Sequence, residues 1–179
     1  MASGVAMRYK TKDIGEGGID VRVVVSEAWL AAECPDASFG VGQGGIRLEG
    51  RLEPAGDGYL FRGTLRGELL APCARCLEPA PVQLEAPMAM SFLDLKGVQD
   101  EMDEEAQDDV QTIEHGTIDL GPVIRDEILI AVPIGPVCRE DCAGICPTCG
   151  RNRNLTPCDC AKQSPQTSKL GALAKMKLQ

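Results

Sequence analysis

Residues Ile46 to Leu70, IRLEGRLEPAGDGYLFRGTLRGELL, decide the fold class. Ile46, Leu48 and Leu52 alternate with the charged Arg47, Glu49 and Arg51. That period of two marks a strand with one buried face. Pro54 to Gly58 supplies turn residues, and the Asp57-Gly58 pair is a hairpin signal. A second strand is expected from Tyr59 to Leu70. It leads into CARC, Cys73 to Cys76, between Pro72 and Pro79, and a third strand follows over Val82–Phe92. Three strands joined by short turns make an antiparallel meander.

Upstream, Met7–Glu33 is rich in β-branched residues, most clearly at Ile19–Val25. It predicts one or two strands and then a short helix near Ala28–Glu33. The glycine-rich GVGQGG at 40–45 leads into a strand and not a helix, so it reads as a flexible loop and not a phosphate cradle. Downstream, residues 100–109 hold seven carboxylates in ten positions. They read as a solvated acidic loop and lack the glycine-turned spacing of a calcium site. Residues 118–132 predict a helix that Asp119 can cap and Pro133 ends, with Leu120, Val123, Ile124, Ile128 and Ala131 on one face. This helix should pack across the sheet and return the chain to Cys138. Ser164–Ser168 reads as a linker, and Lys169–Leu178 as a short basic amphipathic helix.

The expected organisation is an antiparallel β domain at 1–137, with an acidic loop at 94–117 and a helix at 118–132. A cysteine-rich zinc-binding module at 138–163 follows, then a linker and basic helix at 164–179. The expected class is α+β: an antiparallel β-sheet or partly closed barrel with one packed helix and a C-terminal zinc-ribbon-like tail.

Composition narrows the function. The chain has 179 residues, enough for one ordinary domain with a core plus a small module. Aromatics are only 3%, which argues against a single-strand reader that stacks bases on rings. The opening MASGVAMRYKTKDIGEGG lacks the charge and apolar run of a signal peptide. No window approaches the roughly 18 apolar residues of a membrane span. A cytoplasmic protein without a membrane partner is expected, and disulfides are rare in that compartment. Net charge is -9, unevenly spread: residues 1–137 carry 11 Lys and Arg against 24 Asp and Glu, and residues 138–179 carry 7 against 3. A polyanion contact is therefore expected in the C-terminal part.

Eight of the nine cysteines fall in close pairs: Cys73/Cys76, Cys138/Cys142, Cys146/Cys149 and Cys158/Cys160. A tetrahedral zinc site takes four soft ligands, most easily from two short loops. In CPTCG, Pro147 stiffens the loop, and Gly150 permits the positive φ often needed after a second ligand. The polar spacer 150–157 suits a small hairpin joining Cys146, Cys149, Cys158 and Cys160 in one site. Cys73 and Cys76 would then meet Cys138 and Cys142 in another. The alternative grouping joins Cys138/Cys142 to Cys158/Cys160, and spacing leaves it open. So does the choice between zinc and an iron–sulfur cluster, since both accept four thiolates. A thiol–disulfide redox pair is the rival reading, but CARC lacks the strand-then-helix setting of a thioredoxin-type site. Cys34, alone, reads as a small core or loop residue.

Arg75, Arg139, Arg151 and Arg153 can offset the charge of such sites. Arg151 and Arg153, between Asn152 and Asn154 on an exposed loop, are the better candidates for phosphate contact, together with Lys175 and Lys177 of the basic helix. His115 has no partner histidine and reads as a surface residue. No catalytic triad or GxxxxGK[ST] pattern is present, so no enzyme and no small-molecule substrate are expected.

CARCLEP after a strand, then IDLGPVIRDEILIAVPIGPVC, DCAGICPTCGRNRN and CDC, in that order and spacing, resemble the YceD family of large ribosomal RNA subunit accumulation proteins, which has chloroplast relatives. The resemblance covers roughly 45–178. It implies a non-catalytic role in 23S rRNA accumulation and large-subunit assembly, with 23S rRNA, a pre-50S particle or a basic ribosomal protein as partner. Some relatives lack the tail cysteines yet keep the CxRC pair, which implies two separable sites. The sequence departs from the family at Asn152-Arg153-Asn154, where Leu is common before the second Asn, and in the glycine-rich 40–45. The expected function is thus a two-zinc factor in ribosome assembly. The competing readings are a CxxC redox protein and an acidic chaperone for basic ribosomal proteins.

Overall fold

The computed structural model describes residues 7–94 and 110–160. In chain order the elements are β1 (Arg8–Lys10), a 3-10 turn (Thr11–Asp13), β2 (Ile19–Val25), α1 (Glu27–Glu33), β3 (Gly40–Ala55), β4 (Gly58–Pro72), β5 (Pro79–Leu93), β6 (Val110–Thr112), β7 (Thr117–Asp119) and α2 (Gly121–Ala131). Five strands form one sheet in the order β2-β3-β4-β5-β6, and β1 pairs with β7 separately. The expected α+β class and the β3-β4-β5 meander are present. The sheet is mixed and not purely antiparallel, because β6 runs parallel to β5. No pairing of β2 with β6 closes a barrel among the described residues, and beside the packed helix α2 there is α1, where a short helix is expected near Ala28–Glu33.

Alternation writes the sheet. In β2, Val21, Val23 and Val25 are buried while Arg22 and Val24 are exposed. Ile46, Leu48 and Leu52 of β3, Phe61, Leu65 and Leu69 of β4, and Leu84, Met88 and Phe92 of β5 continue the same inner face. Val123, Ile124 and Ile128 of α2 and Leu30 of α1 join them in one core. The face foreseen for α2 is thus the buried one, and Ala131 packs against it. Ser26 caps α1, its Oγ accepting from Trp29 N. Cys34, just beyond α1, is buried in the core.

Several local expectations change. Residues 40–45 are not a free loop. Gly40 and Val41 pair with Leu70 and Leu69, and the register shifts between Val41 and Ile46. The extra residues bulge out of a continuous strand, and Gly45 takes the positive φ of 67°. The hairpin turn is Gly56-Asp57, with Gly58 already paired to Ala55. The span 94–117 contains β6, and Thr117–Asp119 is strand, so the helix begins at Gly121. Asp119 still serves it: Oδ1 accepts from Gly121 N at 2.8 Å, and Oδ2 accepts from Arg8 Nε at 2.7 Å. The acidic run 100–109 and the basic helix expected at 169–178 lie outside the described residues. No helix among those described is long and apolar enough to cross a membrane.

Gly50 and Gly63 face each other on the inner side of β3 and β4, under the ring of Phe61. A Cβ on Gly63 would lie 2.6 Å from Glu49 O and 2.7 Å from Phe61 Cζ. Overpacking of this kind costs about 1–3 kcal/mol. Gly63→Ala should lower the thermal unfolding midpoint by several degrees, whereas Thr64→Ala, on the outer face, should shift it little.

Candidate metal centres

The β4–β5 hairpin carries the first cysteine pair at its tip. Pro72 pairs with Pro79, and Cys73 N donates to Glu78 O at 2.9 Å, closing a loop that holds Cys73 and Cys76. Inside it, Leu77 N donates to Cys73 O at 2.9 Å. The second CxxC loop repeats this turn, with Gly150 N donating to Cys146 O at 2.9 Å. The residue after the second cysteine takes a positive φ in both, 64° at Leu77 and 71° at Gly150. Glycine does so freely, but a leucine is held there against a cost of about 1–2 kcal/mol.

The chain returns from α2 to complete the first group. Ala74 N donates to Pro136 O at 2.8 Å, and Ile145 N to Arg75 O at 2.8 Å. Arg75 Nη1 donates to the carbonyls of Glu140 at 2.9 Å and Cys142 at 3.3 Å. Arg75 therefore braces backbone beside the sulfurs as well as supplying charge. Cys73, Cys76, Cys138 and Cys142 converge in one group, and Cys146, Cys149, Cys158 and Cys160 in another, with sulfurs all within 4.8 Å of one another in each. The alternative grouping is not the one the chain adopts.

The geometry suits a tetrahedral cation. Zn–S bonds of about 2.3 Å place sulfurs about 3.8 Å apart at tetrahedral angles. Cys73 and Cys142 sulfurs lie 3.9 Å apart, and those of Cys76 and Cys138 3.6 Å. A disulfide would need about 2.05 Å, and the cysteines are free thiols. With four protein thiols per group, such a site is closed, the arrangement of structural and not catalytic zinc.

The local fields favour charge at chosen sulfurs. Burial pushes the Cys73 thiol up, but backbone amides of Cys138, Arg75 and Cys76 outweigh it and bring it down to about 6. In the second group, the amides of Cys149 and Thr148 bring Cys146 down to about 6. Burial and the neighbouring thiols push Cys138 up to about 12, and the Cys149 thiol with burial does the same to Cys160. Without a metal, each group thus mixes thiolate with thiol. A divalent ion replaces the remaining protons, so its affinity falls as pH falls.

Asn152 and Asn154 were not foreseen as part of the site. Asn154 Nδ2 donates to Cys142 Sγ at 3.3 Å and to Asn152 Oδ1 at 2.9 Å. Its Oδ1 accepts from Ala143 N and from Arg139 Nη2, both at 2.8 Å. Asn152 also bridges to Ile145 through the backbone, and its Nδ2 donates to Glu78 Oε1 at 3.4 Å. One loop thereby touches the first sulfur group while framing the second. The signal was the alternation in RNRN: the asparagines turn inward, and Arg151 and Arg153 are exposed. Lys175 and Lys177 lie outside the described residues. His115 is exposed, in the turn between β6 and β7 with φ of 50°.

Hydrogen bonds to metal-bound thiolates typically carry 10–100-fold in metal affinity. Asn154→Ala should therefore weaken metal binding at the first group by about that factor without changing the number of ions bound. Competition against a chromophoric chelator measures it, with Arg153→Ala, its outward neighbour, as the unaffected control.

The family described as Large ribosomal RNA subunit accumulation protein YceD matches residues 61–177. An uncharacterized protein of Mycobacterium tuberculosis is 36% identical over 105 residues, 59% of this chain and 50% of the relative. The uncharacterized protein YlbN of Bacillus subtilis is 30% identical over 96 residues, 54% of this chain and 53% of the relative. A maize protein named Large ribosomal RNA subunit accumulation protein YCED homolog 1, chloroplastic, is 29% identical over 130 residues, 58% of this chain and 44% of the relative. The chain spans about half the length of these curated relatives. No solved structure matches the chain significantly.

Proposed function

The chain belongs to the YceD family, and from that membership we propose that it is a non-catalytic, two-zinc factor that supports 23S rRNA accumulation and large-subunit assembly by binding rRNA. Cys73, Cys76, Cys138 and Cys142 hold one ion, and Cys146, Cys149, Cys158 and Cys160 the other. The observation that carries this reading is the convergence of the cysteines into two four-sulfur groups, each within 4.8 Å, with sulfurs of the first group at the spacing of tetrahedral thiolate ligands. Zinc fills a structural role in both: it clamps the exit of α2 onto the β4–β5 hairpin and folds a tail too small for its own core. The reducing cytoplasm suits thiols kept free for metal.

A redox role has less support, because Cys73, whose thiol is brought down to about 6, is fully buried and reactive cysteines need access. The acidic-chaperone reading rests on the body's charge, but among the described residues the outer face of β2, β3 and β4 carries five exposed arginines.

Elemental analysis of protein purified without chelator should return two zinc ions per chain. Cys73→Ser should lose the first and sharply lower the unfolding temperature. Cys146→Ser should lose only the second and leave the sheet folded. In cells lacking the protein, the ratio of 23S to 16S rRNA should fall, and wild type but not Cys73→Ser should restore it. No metal with readily oxidised thiols would replace this reading with the redox one. An unchanged rRNA ratio would remove the assembly role.

A further inference from the structure

The outer face of the sheet carries a charge pattern that the rest of the acidic body does not. Of the 11 Lys and Arg residues in 1–137, five lie on this one face: Arg22, Arg47, Arg51, Arg62 and Arg66. All five are exposed. The register puts Arg47 directly opposite Arg66, and Arg51 directly opposite Arg62. Arg22 stands opposite Glu49, which sits between Arg47 and Arg51 on β3. Five guanidinium groups therefore surround Glu49, while Asp20, Glu53, Glu68 and Glu85 lie further out on the same face and balance it in formal charge.

Like charges directly opposite in a sheet are destabilising, and this face has two such pairs, one on each side of Glu49 and Thr64. Folding alone does not explain them. Acidic partners quench only some of the charge: Arg66 binds Glu85 Oε1 at 3.1 Å, and Arg51 binds Asp20 Oδ1 at 3.0 Å and pairs with Glu53 Oε2 at 3.7 Å. Arg22, Arg47 and Arg62 make no side-chain hydrogen bond or ion pair among the described residues. Each of the five is arginine and none is lysine, and the planar fork of arginine matches phosphate oxygens two at a time.

We infer that the open face of β2, β3 and β4 is an RNA-backbone contact surface, with Arg22, Arg47 and Arg62 taking phosphates. The inference rests on the rRNA-binding reading above and names its surface. The tail is a weaker candidate than its formal charge suggests. Four thiolates around one divalent ion leave about -2 at each site, so metal loading largely cancels the tail's excess of 7 basic over 3 acidic residues. Strand geometry sets the scale of the arginine face. Arg47 and Arg51 are four residues apart, about 13 Å along the strand, room for a few consecutive phosphates. The face has no aromatic side chain: Tyr59, Phe61 and Phe92 all pack against the core on the other side. Bases have nothing to stack on, so binding follows backbone shape and charge and tolerates sequence change.

The test uses the full zinc-loaded chain and a transcript of a 23S rRNA domain, titrated over a range of salt. Neutralising three phosphate contacts should lower the slope of log affinity against log salt by about 2–3. The triple variant R22T/R47T/R62T should show that loss, with zinc content unchanged and an unfolding temperature no lower than wild type. The lysine version, R22K/R47K/R62K, should keep most of the slope. If the threonine variant keeps the wild-type slope while R151A/R153A loses it, the contact lies in the tail; the surface assignment falls, and the rRNA-binding reading stands. If poly-aspartate displaces the transcript as well as unlabelled rRNA does, the face docks an acidic protein and the inference also falls. If the wild type shows no salt-dependent binding to the transcript, the rRNA-binding reading itself fails.

Discussion

The meeting of Cys73 and Cys142 sulfurs at 3.9 Å is the constraint on which the tail depends. It joins residues 69 apart in sequence at the tip of a hairpin that reaches beyond the main core. Around that tip the apolar contribution is small: the buried cluster consists of Cys73, Cys76, Ala80 and Cys142, with Cys138 against it. So few atoms cannot offset the conformational entropy of ordering the segment after α2. Four thiols aimed at one point can, once a cation holds them together. The backbone bonds from Ala74 to Pro136 and from Ile145 to Arg75 then fix the direction in which the chain leaves.

The second group hangs on the first. Ile145 and Asn152 bridge the base of the loop that carries Cys146 and Cys149, and Asn154, two residues past that base, reaches Cys142. Order therefore passes from sheet to first group to tail. A hairpin with only its own knuckle can lose the tail and remain folded. A tail without the hairpin has neither core nor partner sulfurs.

The sequence made legible whatever depends on side-chain period or on ligand chemistry. The alternation at Ile46–Leu52 specified an exposed and a buried face, and the paired thiols specified two groups. What escaped has physical reasons. Residues 40–45 have too few side chains to show a period, so a strand built largely of glycine looked like a loop. The three-residue strands β6 and β7 are shorter than any pattern that could announce them, and the parallel seating of β6 on β5 is a tertiary choice. Asn152 and Asn154 looked like companions of exposed arginines because an amide side chain suits either a solvated loop or a thiolate. The turn at Leu77 was hidden because leucine does not signal a positive φ.

Net charge misdirects most of all. A chain at -9 with an acidic body looks unfit for RNA anywhere but its tail. Yet charge acts over about 8 Å at physiological salt, so Arg22, Arg47 and Arg62, without an acidic partner among the described residues, count locally for more than the formal total. Placing arginines opposite each other on β3 and β4 costs the sheet stability that Gly50, Gly63 and the aliphatic inner face do not require it to lose. Two faces of the same strands thus answer to different demands. The inner residues are set by packing, and the outer ones hold a like-charge repulsion that an anionic ligand would relieve. That division makes stability and binding separable: relieving the repulsion by substitution should leave the fold at least as stable while removing the reason for the ligand to bind.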